Sequence, residues 1–481
     1  MKGQISIILF LIILFQFSCK GKEILVPQVP PVNNTGQVSV WRTSKDGSIT
    51  LFKEPSQIKF SQKVSSLIDI DIKSNLVHQE MEGFGAALTG SSAYVLMKHL
   101  DANQRETCLR ELFDTSTGIG LSYLRLTMGA SDFSLTNYTY NDIPLNQTDT
   151  GMIQFSISSE EEYLIPVLKE ILQINSQVKI MASPWSAPAW MKSNKSLIQG
   201  GTVNANYYNS YALYFVKYIQ AFKNHGINID AITIQNEPLF AAPYMSTEMS
   251  AQAQASFIKT ALGPAFAKYN IQTKIVIYDH NWDRVDYPLT VLSDAEARPY
   301  IAGSAFHCYA GNVNAMSQVL NQFPEKGIYF TECSGGEFSP NFSNNLAWNS
   351  ENLMIGSPRN GAKTVLFWNL VLDENHGPRN GGCQDCRAVV TVNSINKIVS
   401  RNVEYFSLGH TSKFLQAHAK RIETSDTRSL GISQVAYINP DGTKVLVVFN
   451  HQTSNQKIQI NDGTNSFVYT IDAGSLVTFK W

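Results

Sequence analysis

Two carboxylates in this chain follow short apolar runs that are typical of buried strands. Residues Ala231 to Ile234 are apolar or β-branched, and they lead into Asn236 and Glu237. Pro238 then ends the strand, because proline has no backbone N–H for strand pairing. The run from Gly327 to Glu332 ends in the second carboxylate. Taken alone, Glu237 would also suit the first turn of a helix, where a carboxylate interacts favourably with the helix dipole.

A facing pair of carboxylates is an arrangement that cleaves glycosidic bonds. One carboxyl group protonates the departing oxygen, and the other attacks or stabilises the anomeric carbon. Three groups that also follow predicted strands, Arg125, His307 and Tyr309, are expected to keep Glu332 ionised. The charge of Glu332 would then raise the pKa of Glu237, which has to hold a proton.

Strands and helices alternate through the middle of the chain, which predicts a (β/α)₈ barrel. The predicted strands are Glu82–Thr89, Tyr123–Met128, Lys179–Trp185, Ala231–Gln235, Lys274–Asp279, Ser304–Tyr309, Gly327–Glu332 and Thr364–Leu372. The predicted helices between them include Ala102–Phe113, Glu160–Asn175, Asn206–His225 and Ser250–Tyr269. A doubly wound open sheet is the alternative, but no Gly-rich phosphate loop follows the first strand. In a closed barrel the ends of strands four and seven face each other, which brings the two carboxylates together.

Other polar and aromatic side chains also gather at the carboxyl ends of the predicted strands. Each has a structural explanation of its own: Arg125 as part of a buried ion pair, His307 as a satisfied core histidine, and Trp185 and Trp368 as core filling. Together they favour a functional site. Random core polarity would not prefer one end of every strand, and buried polar groups cost free energy unless they are partnered.

The two ends of the chain are rich in β-like runs and show no helical period. Residues 38–75 contain several such runs, of which Leu67–Ile72 alternates strictly, and residues 406–481 contain five more, separated by turn sequences. Neither end has an obvious partner nearby in sequence. We therefore expect both to form one antiparallel β-sandwich beside a barrel of residues 76–405.

The N-terminus predicts export and a lipid anchor. An apolar run from Ile5 to Phe17 follows Lys2 and is too short to span a bilayer comfortably, as in a secretory signal. Cys19 directly follows a small residue, which indicates a bacterial lipoprotein with residues 1–19 as its signal segment and residues 20–37 as a tether. The expected location is a bacterial membrane, most simply the outer membrane. An ordinary signal peptide with an incidental cysteine is the alternative.

Composition argues against one class of partner. The formal net charge is -1 and charged residues make up 16% of the chain. No basic field is present to attract nucleic acid.

The motifs in this order resemble glycoside hydrolase family 30, which contains glucosylceramidases and microbial β-1,6-glucanases. The resemblance runs from about Glu82 to the C-terminus. It rests on Gly83–Thr89, Tyr123–Ser134, Ala182–Lys192, Gln235–Pro238, Thr331–Cys333 and Trp368–Leu370.

The resemblance implies a barrel with an attached β-sandwich and a retaining mechanism without cofactor or metal. It implies that Glu237 is the acid/base and Glu332 the nucleophile, with carboxyl groups ~5 Å apart. The residues that match the terminal-glucose subsite are Asp132, Trp185, Asn236 and Trp368, and those that match its supporting shell are Arg125, His307 and Tyr309.

The cysteines depart from the mammalian glucosylceramidases. Cys383 and Cys386 lie in a loop after strand eight that looks more like the β-1,6-glucanase branch, and two cysteines are too few to hold zinc. In an exported protein they are expected to form a small disulfide. Cys108, Cys308 and Cys333 are expected to be buried thiols, although a bridge between Cys308 and Cys333 stays open because their strands are adjacent.

The expected function is cleavage of β-glucosidic bonds, with β-1,6-glucan preferred as substrate. Trp190, Trp282 and Tyr244 are candidate platforms for several sugars, whereas no concentrated apolar loop suggests a site for lipid chains. Glucosylceramide is the alternative substrate. A non-catalytic sugar-binding lipoprotein is the alternative of another class, but both carboxylates are retained.

Overall fold

Eight parallel strands close into a barrel in the computed structural model, which describes residues 36–64 and 67–481. We number them β1 to β8: Gly83–Leu88, Tyr123–Thr127, Lys179–Ser183, Ala231–Thr233, Lys274–Asn281, Ile301–His307, Gly327–Glu332 and Ala362–Phe367. Each strand pairs with its neighbours in chain order, and β8 pairs with β1 to close the barrel. The predicted barrel is confirmed, and strand β7 has the predicted bounds.

The α-helices surround the barrel or connect it to the sandwich. Their bounds are Gly90–His99, Ala102–Phe113, Leu164–Ile174, Tyr208–Asn224, Ala251–Phe257, Gly263–Lys268, Asp286–Ser293, Ala315–Gln322, Phe342–Trp348, Ser357–Arg359 and Val403–Ser412. The helix Ala102–Phe113 begins as predicted because Asp101 and Gln104 form a capping box. None of the helices in the described ranges is long and apolar enough to cross a membrane.

Side chains from the strands fill the barrel interior. The buried cluster there consists of Tyr123, Met181, Ala231, Val276, Ala305, Tyr329 and Leu366. Strand β1 contributes glycine because it runs so close to β2 that a Cβ on Gly85 would lie 1.8 Å from the Tyr123 carbonyl oxygen. The interior is therefore a solid support for the residues at the strand ends.

The ends of the chain meet in one ten-stranded sheet that encloses a second apolar core. Its strands are Gln37–Thr43, Phe52–Lys53, Ile58–Lys59, Ile68–Glu80, Lys420–Thr424, Ile432–Ile438, Lys444–Asn450, Gln456–Asp462, Asn465–Ile471 and Leu476–Lys480. The predicted association of the two ends is confirmed, since Gln37–Thr43 pairs with Leu476–Lys480 and Ile68–Glu80 pairs with Lys420–Thr424.

A purely antiparallel sheet, however, is the wrong expectation. Ile68–Glu80 is antiparallel to Lys420–Thr424 on one side but parallel to Gln456–Asp462 on the other.

The boundaries expected at residues 75 and 405 both fall inside elements. Strand Ile68–Glu80 continues past the first, and helix Val403–Ser412 spans the second. The barrel and sandwich are thus connected by continuous secondary structure. The N-terminal segment with Cys19 lies outside the described residues.

A buried histidine joins the barrel-side helix to both ends of the sandwich. His410 lies in Val403–Ser412, and its ring nitrogens contact the hydroxyls of Thr43 and Thr478, each at 2.8 Å. Burial lowers the pKa of His410 to about 3. The folded protein therefore holds this histidine neutral at pH values where an unfolded chain would protonate it.

We expect this histidine to contribute to acid destabilisation. The pKa of His410 is about 3 in the folded protein, whereas a free histidine has a pKa of about 6.5. The unfolded state therefore binds the proton first, and stability falls as the pH drops from ~6.5 towards the folded pKa. His410→Gln should remove this contribution, which is about 1.4 kcal/mol for each pH unit in that window. Chemical unfolding at a series of pH values measures it.

Parallel curves for the wild type and His410→Gln would contradict the assignment.

Candidate active site

The sequence-predicted site residues within the described ranges meet at the carboxyl ends of the barrel strands. Strand β2 carries Arg125, β6 ends in His307 and β7 ends in Glu332. Asn236 and Glu237 follow β4. The loops after β2, β3, β6 and β8 supply Asp132, Trp185, Tyr309 and Trp368.

A fully buried ion pair lies beneath the site. Arg125 Nη2 donates to Asp279 Oδ2 at 2.8 Å and to Asn236 Oδ1 at 2.7 Å, and Nη1 donates to Glu332 Oε2. Asp279 also accepts hydrogen bonds from the hydroxyls of Ser183, Thr233 and Thr331. Burial opposes ionisation of Asp279, but Arg125 and His307 outweigh it and hold its pKa well below the usual range.

Two indole rings cover the guanidinium of Arg125. Trp185 and Trp368 stack with centroids 5.0 Å apart, and Arg125 Cζ lies 4.9 Å and 5.7 Å from their respective centroids. This cation–π contact fixes the two rings over the ion pair. The predicted pair of tryptophans is thus packed together at the mouth of the barrel.

The two carboxylates lie close to each other in the same mouth. Oxygen atoms of Glu237 and Glu332 and a ring nitrogen of His307 all lie within 4.8 Å of one another. Tyr309 donates its hydroxyl to Glu332 Oε1 at 3.0 Å, and His307 Nδ1 lies 3.1 Å from Glu237 Oε1. Carboxylate oxygens this close fit the short carboxyl separation of a retaining glycosidase better than the wider separation of an inverting one.

The pKa values of Glu237 and Glu332 are shifted in the opposite directions to those expected. Burial lowers the tendency of His307 to ionise, but the charges of Glu332 and Asp279 raise its pKa to about 9. Burial likewise favours the neutral form of Glu237, yet the hydrogen bond and charge of His307 hold the pKa of Glu237 below its usual value. Burial, with the charge of Glu237, raises the pKa of Glu332 despite His307 and Arg125. The expectation of a raised pKa at Glu237 is therefore wrong for the unliganded site.

Glu237, His307 and Glu332 are also the one set of residues in the described ranges whose spacing would suit a metal ion. The second ring nitrogen of His307 contacts Asp279 at 3.0 Å, so both nitrogens face carboxylates. Both nitrogens are thus already engaged by carboxylates. The set is better suited to proton transfer.

A cleft of about 630 Å³ opens above the carboxylates. Asp132 lies on its wall, where burial and the charges of Glu332 and Glu237 raise its pKa well above the usual range. The loop after β8 reaches Asp132 because residue 382 is glycine, and a Cβ there would lie 2.3 Å from Asp132 Oδ2. A carboxyl group at this position can hydrogen-bond a sugar hydroxyl.

One disulfide lines the cleft, and a second connects two of the strand ends that carry site residues. Cys383–Cys386 is present as predicted. Cys308 is bonded to Cys333, so the expectation of buried thiols at these two positions is wrong and applies only to Cys108. The Cys308–Cys333 bridge joins the residue between His307 and Tyr309 to the residue after Glu332.

The expected sugar platforms are only partly correct. Trp190 and Trp282 are buried and pack in the helical layer, whereas Tyr244 lines the cleft. An apolar rim that the motifs did not reveal also lines it, with Leu239, Phe240 and Phe338 exposed by 37%, 44% and 63%.

Sequence reasoning did not assign a role to Asp279, although it is the partner of Arg125 and His307. Its position at the end of the fifth strand was the available signal. Backbone strain accompanies the site, because Glu237, Tyr278 and Asp279 have φ values of 45°, 72° and 67°. Non-glycine residues rarely adopt this region.

Comparison with known proteins agrees with this geometry. The model of the glycosyl hydrolase family 30 TIM-barrel domain matches residues 81–415, and that of the family's beta sandwich domain matches residues 418–479. Endo-1,6-beta-D-glucanase neg1 of Aspergillus fumigatus is 35% identical over 80% of this chain and 81% of its own length. The lysosomal acid glucosylceramidase of Mus musculus is 28% identical over 84% and 81%.

A solved structure is similar over nearly the whole described chain. The endo-beta1,6-glucanase BT3312 superposes with a TM-score of 0.87 at 37% identity, covering 93% of this chain and 99% of that one. The match includes both the barrel and the sandwich. The chain is a glycosidase and belongs to glycosyl hydrolase family 30.

Proposed function

We propose that this protein hydrolyses β-1,6-glucan with retention of anomeric configuration, with Glu332 as nucleophile and Glu237 as acid/base. The observation that carries the proposal is the pair of carboxylates within 4.8 Å at the barrel mouth. The substrate rests on the relatives, since those at 35–37% identity are named as 1,6-glucanases and the glucosylceramidase is more distant.

In the first step, Glu332 attacks the anomeric carbon while Glu237 protonates the departing oxygen. Arg125 and Tyr309 donate to the two different oxygens of Glu332, so they orient the carboxylate and stabilise its charge until the bond forms. Trp185, Trp368, Asn236 and Asp132 border the position of the sugar being transferred.

In the second step, Glu237 removes a proton from water, which attacks the glycosyl ester on Glu332. The lowered pKa of Glu237 suits this role as a base. The first step requires the opposite arrangement, with the proton on Glu237. The charge of Glu332 and the contact with His307 act on Glu237 together, so the proton of the first step is shared among interacting groups and does not belong to one isolated carboxyl.

Substitutions of the two carboxylates should separate their roles. Glu332→Gln should abolish turnover and leave glucan binding nearly intact, because only bond formation needs the carboxylate. Glu237→Gln should hydrolyse glucan about 10²–10⁴-fold more slowly than the wild type. It should still form the glycosyl enzyme from a dinitrophenyl glucoside, whose leaving group needs no proton. Stopped-flow bursts and steady-state rates measure both effects.

Azide distinguishes the roles further, since it attacks the glycosyl enzyme without a base. Azide should restore the turnover of Glu237→Ala and yield a β-glucosyl azide. It should not restore the turnover of Glu332→Gln. Identical responses of both variants to azide and leaving group would contradict the assignment.

Glucosylceramide hydrolysis is a second candidate that one observation favours. The exposed Leu239, Phe240 and Phe338 at the cleft rim would suit lipid chains as well as sugar faces. Such side chains stack on pyranose rings in a glucan site and cover acyl chains in a lipid site.

A panel of substrates decides between them. With pustulan (a β-1,6-glucan), laminarin (a β-1,3-glucan) and glucosylceramide at equal glucosyl concentration, we expect release of sugar from pustulan to be fastest by at least about tenfold. Reducing-sugar and ceramide assays on the same enzyme preparation measure it. Fastest release from glucosylceramide would favour the second candidate.

The proposed location is a bacterial membrane, to which acylated Cys19 would anchor an exported enzyme. The lipoprotein-like sequence before Cys19 supports it, and so do two disulfides, which are typical of oxidising compartments.

Anchoring can be tested with one substitution. Wild-type protein expressed in a Gram-negative host should incorporate labelled palmitate and sediment with membranes, whereas Cys19→Ser should do neither. An unlabelled wild type would contradict the anchor. Cys108→Ser is the control, because Cys108 is a buried thiol in the folded domain.

A further inference from the structure

Strand β5 contains a bulge that turns two consecutive side chains towards the barrel mouth. Its pairing with β6 shifts between Ala305 and Phe306, which are opposite Tyr278 and His280, so Asp279 is an extra residue. Val276 faces the barrel interior, and strict alternation would place Tyr278 there too. Instead, the Tyr278 ring packs outside the barrel against Tyr287 and Phe306. Asp279 thereby reaches Arg125, and His280 comes to line the cleft.

His280 has no role in the steps described above, yet it stands in the cleft beside Glu237. It is only 8% exposed, and no group in the described ranges hydrogen-bonds to its ring. Its Nδ1 is buried without a partner. Its Nε2 also has no hydrogen-bond partner in the described ranges and is not among the fully buried atoms, so it is the ring nitrogen that a ligand in the cleft can reach. A polar atom this close to burial is more stable when it is paired, which indicates a group that a ligand hydroxyl completes.

His280 presents a neutral ring to that ligand. Burial lowers its pKa, and the nearby charge of Glu237 opposes this only in part. A neutral imidazole offers one donor and one acceptor, which matches a sugar hydroxyl. His307 has no such freedom, because both of its nitrogens face carboxylates.

We infer that His280 binds a hydroxyl of the sugar on the leaving-group side of the scissile bond. The position follows from its neighbours. His280 lines the cleft beside Glu237, whose proton goes to the departing oxygen in the proposed mechanism, and Leu239, Phe240 and Arg284 line the same cleft. The group recognised is therefore a hydroxylated leaving group or acceptor, such as a glucosyl unit. This inference rests on the proposed function for the identity of the sugar.

The test compares substrates with and without a leaving-group sugar. For His280→Ala, kcat/KM on a β-1,6-linked glucotriose should fall about tenfold or more, because a buried hydrogen bond is lost. On p-nitrophenyl β-glucoside it should change by less than about twofold, and the pH profile should keep its shape. His280→Asn, which retains a donor and an acceptor, should recover part of the loss. His418→Ala, at the opposite end of the barrel, is the control.

Equal losses on both substrates, or a shifted pH profile with the aryl glucoside, would overturn the inference and assign His280 to tuning of Glu237. No loss on either substrate would overturn it as well.

A second measurement keeps this test separate from the proposed function. With p-nitrophenyl β-glucoside as donor, a β-1,6-linked glucobiose can accept the glucosyl group. The bond to Glu332 breaks, the new glycosidic bond forms, and the acceptor proton passes to Glu237. His280→Ala should reduce the ratio of transfer to hydrolysis about tenfold. If the wild type does not cleave pustulan but transfers the glucosyl group to this acceptor, the proposed substrate is wrong. The inference about His280 is then judged by the ratio of transfer to hydrolysis alone.

Discussion

The buried pair of Arg125 and Asp279 is the interaction on which the rest of the site depends. A buried charge must be paired with an opposite charge. Removal of one member of a buried ion pair typically destabilises a protein by about 3–5 kcal/mol. Arg125 therefore requires Asp279 beneath it, Glu332 and Asn236 beside it, and two indole rings above it. These partners come from five different loops or strands. The contacts of one guanidinium therefore hold the reacting groups in fixed positions relative to one another.

The same ion pair explains why the backbone of β5 is strained near its end. Asp279 can reach Arg125 only because β5 bulges and two of its residues adopt positive φ, each at a cost of about 1–3 kcal/mol. Hydroxyls from β3, β4 and β7 hold the carboxylate in return. The bulge also displaces His280 into the cleft, so one local irregularity supplies both the support of the nucleophile and an unpaired group on the substrate side.

Features that follow from strand order were predictable, and those that follow from local geometry were not. Glu237 and Glu332 could be paired because parallel strands collect their ends at one rim. The position of Asp279 at the end of the fifth strand was a signal for a site residue, but its contact with Arg125 depends on a bulge, and a bulge leaves no mark in residue spacing. The Cys308–Cys333 bond stayed open because adjacency in a barrel does not fix sulfur positions. Which of the two carboxylates has the lower pKa depends on which of them contacts His307. The sequence does not give atomic positions at that precision.

The pairing of the chain's two ends also governs how the protein is made. A ribosome produces Gln37–Thr43 first, but its neighbour Leu476–Lys480 emerges only after every barrel strand. The barrel strands can pair with one another without the last strands of the chain, whereas Gln37–Thr43 keeps an unpaired edge until Leu476–Lys480 is available. The sandwich is therefore complete only when the whole chain is present, and a chain that lacks its last residues would expose a strand edge on which other chains can pair.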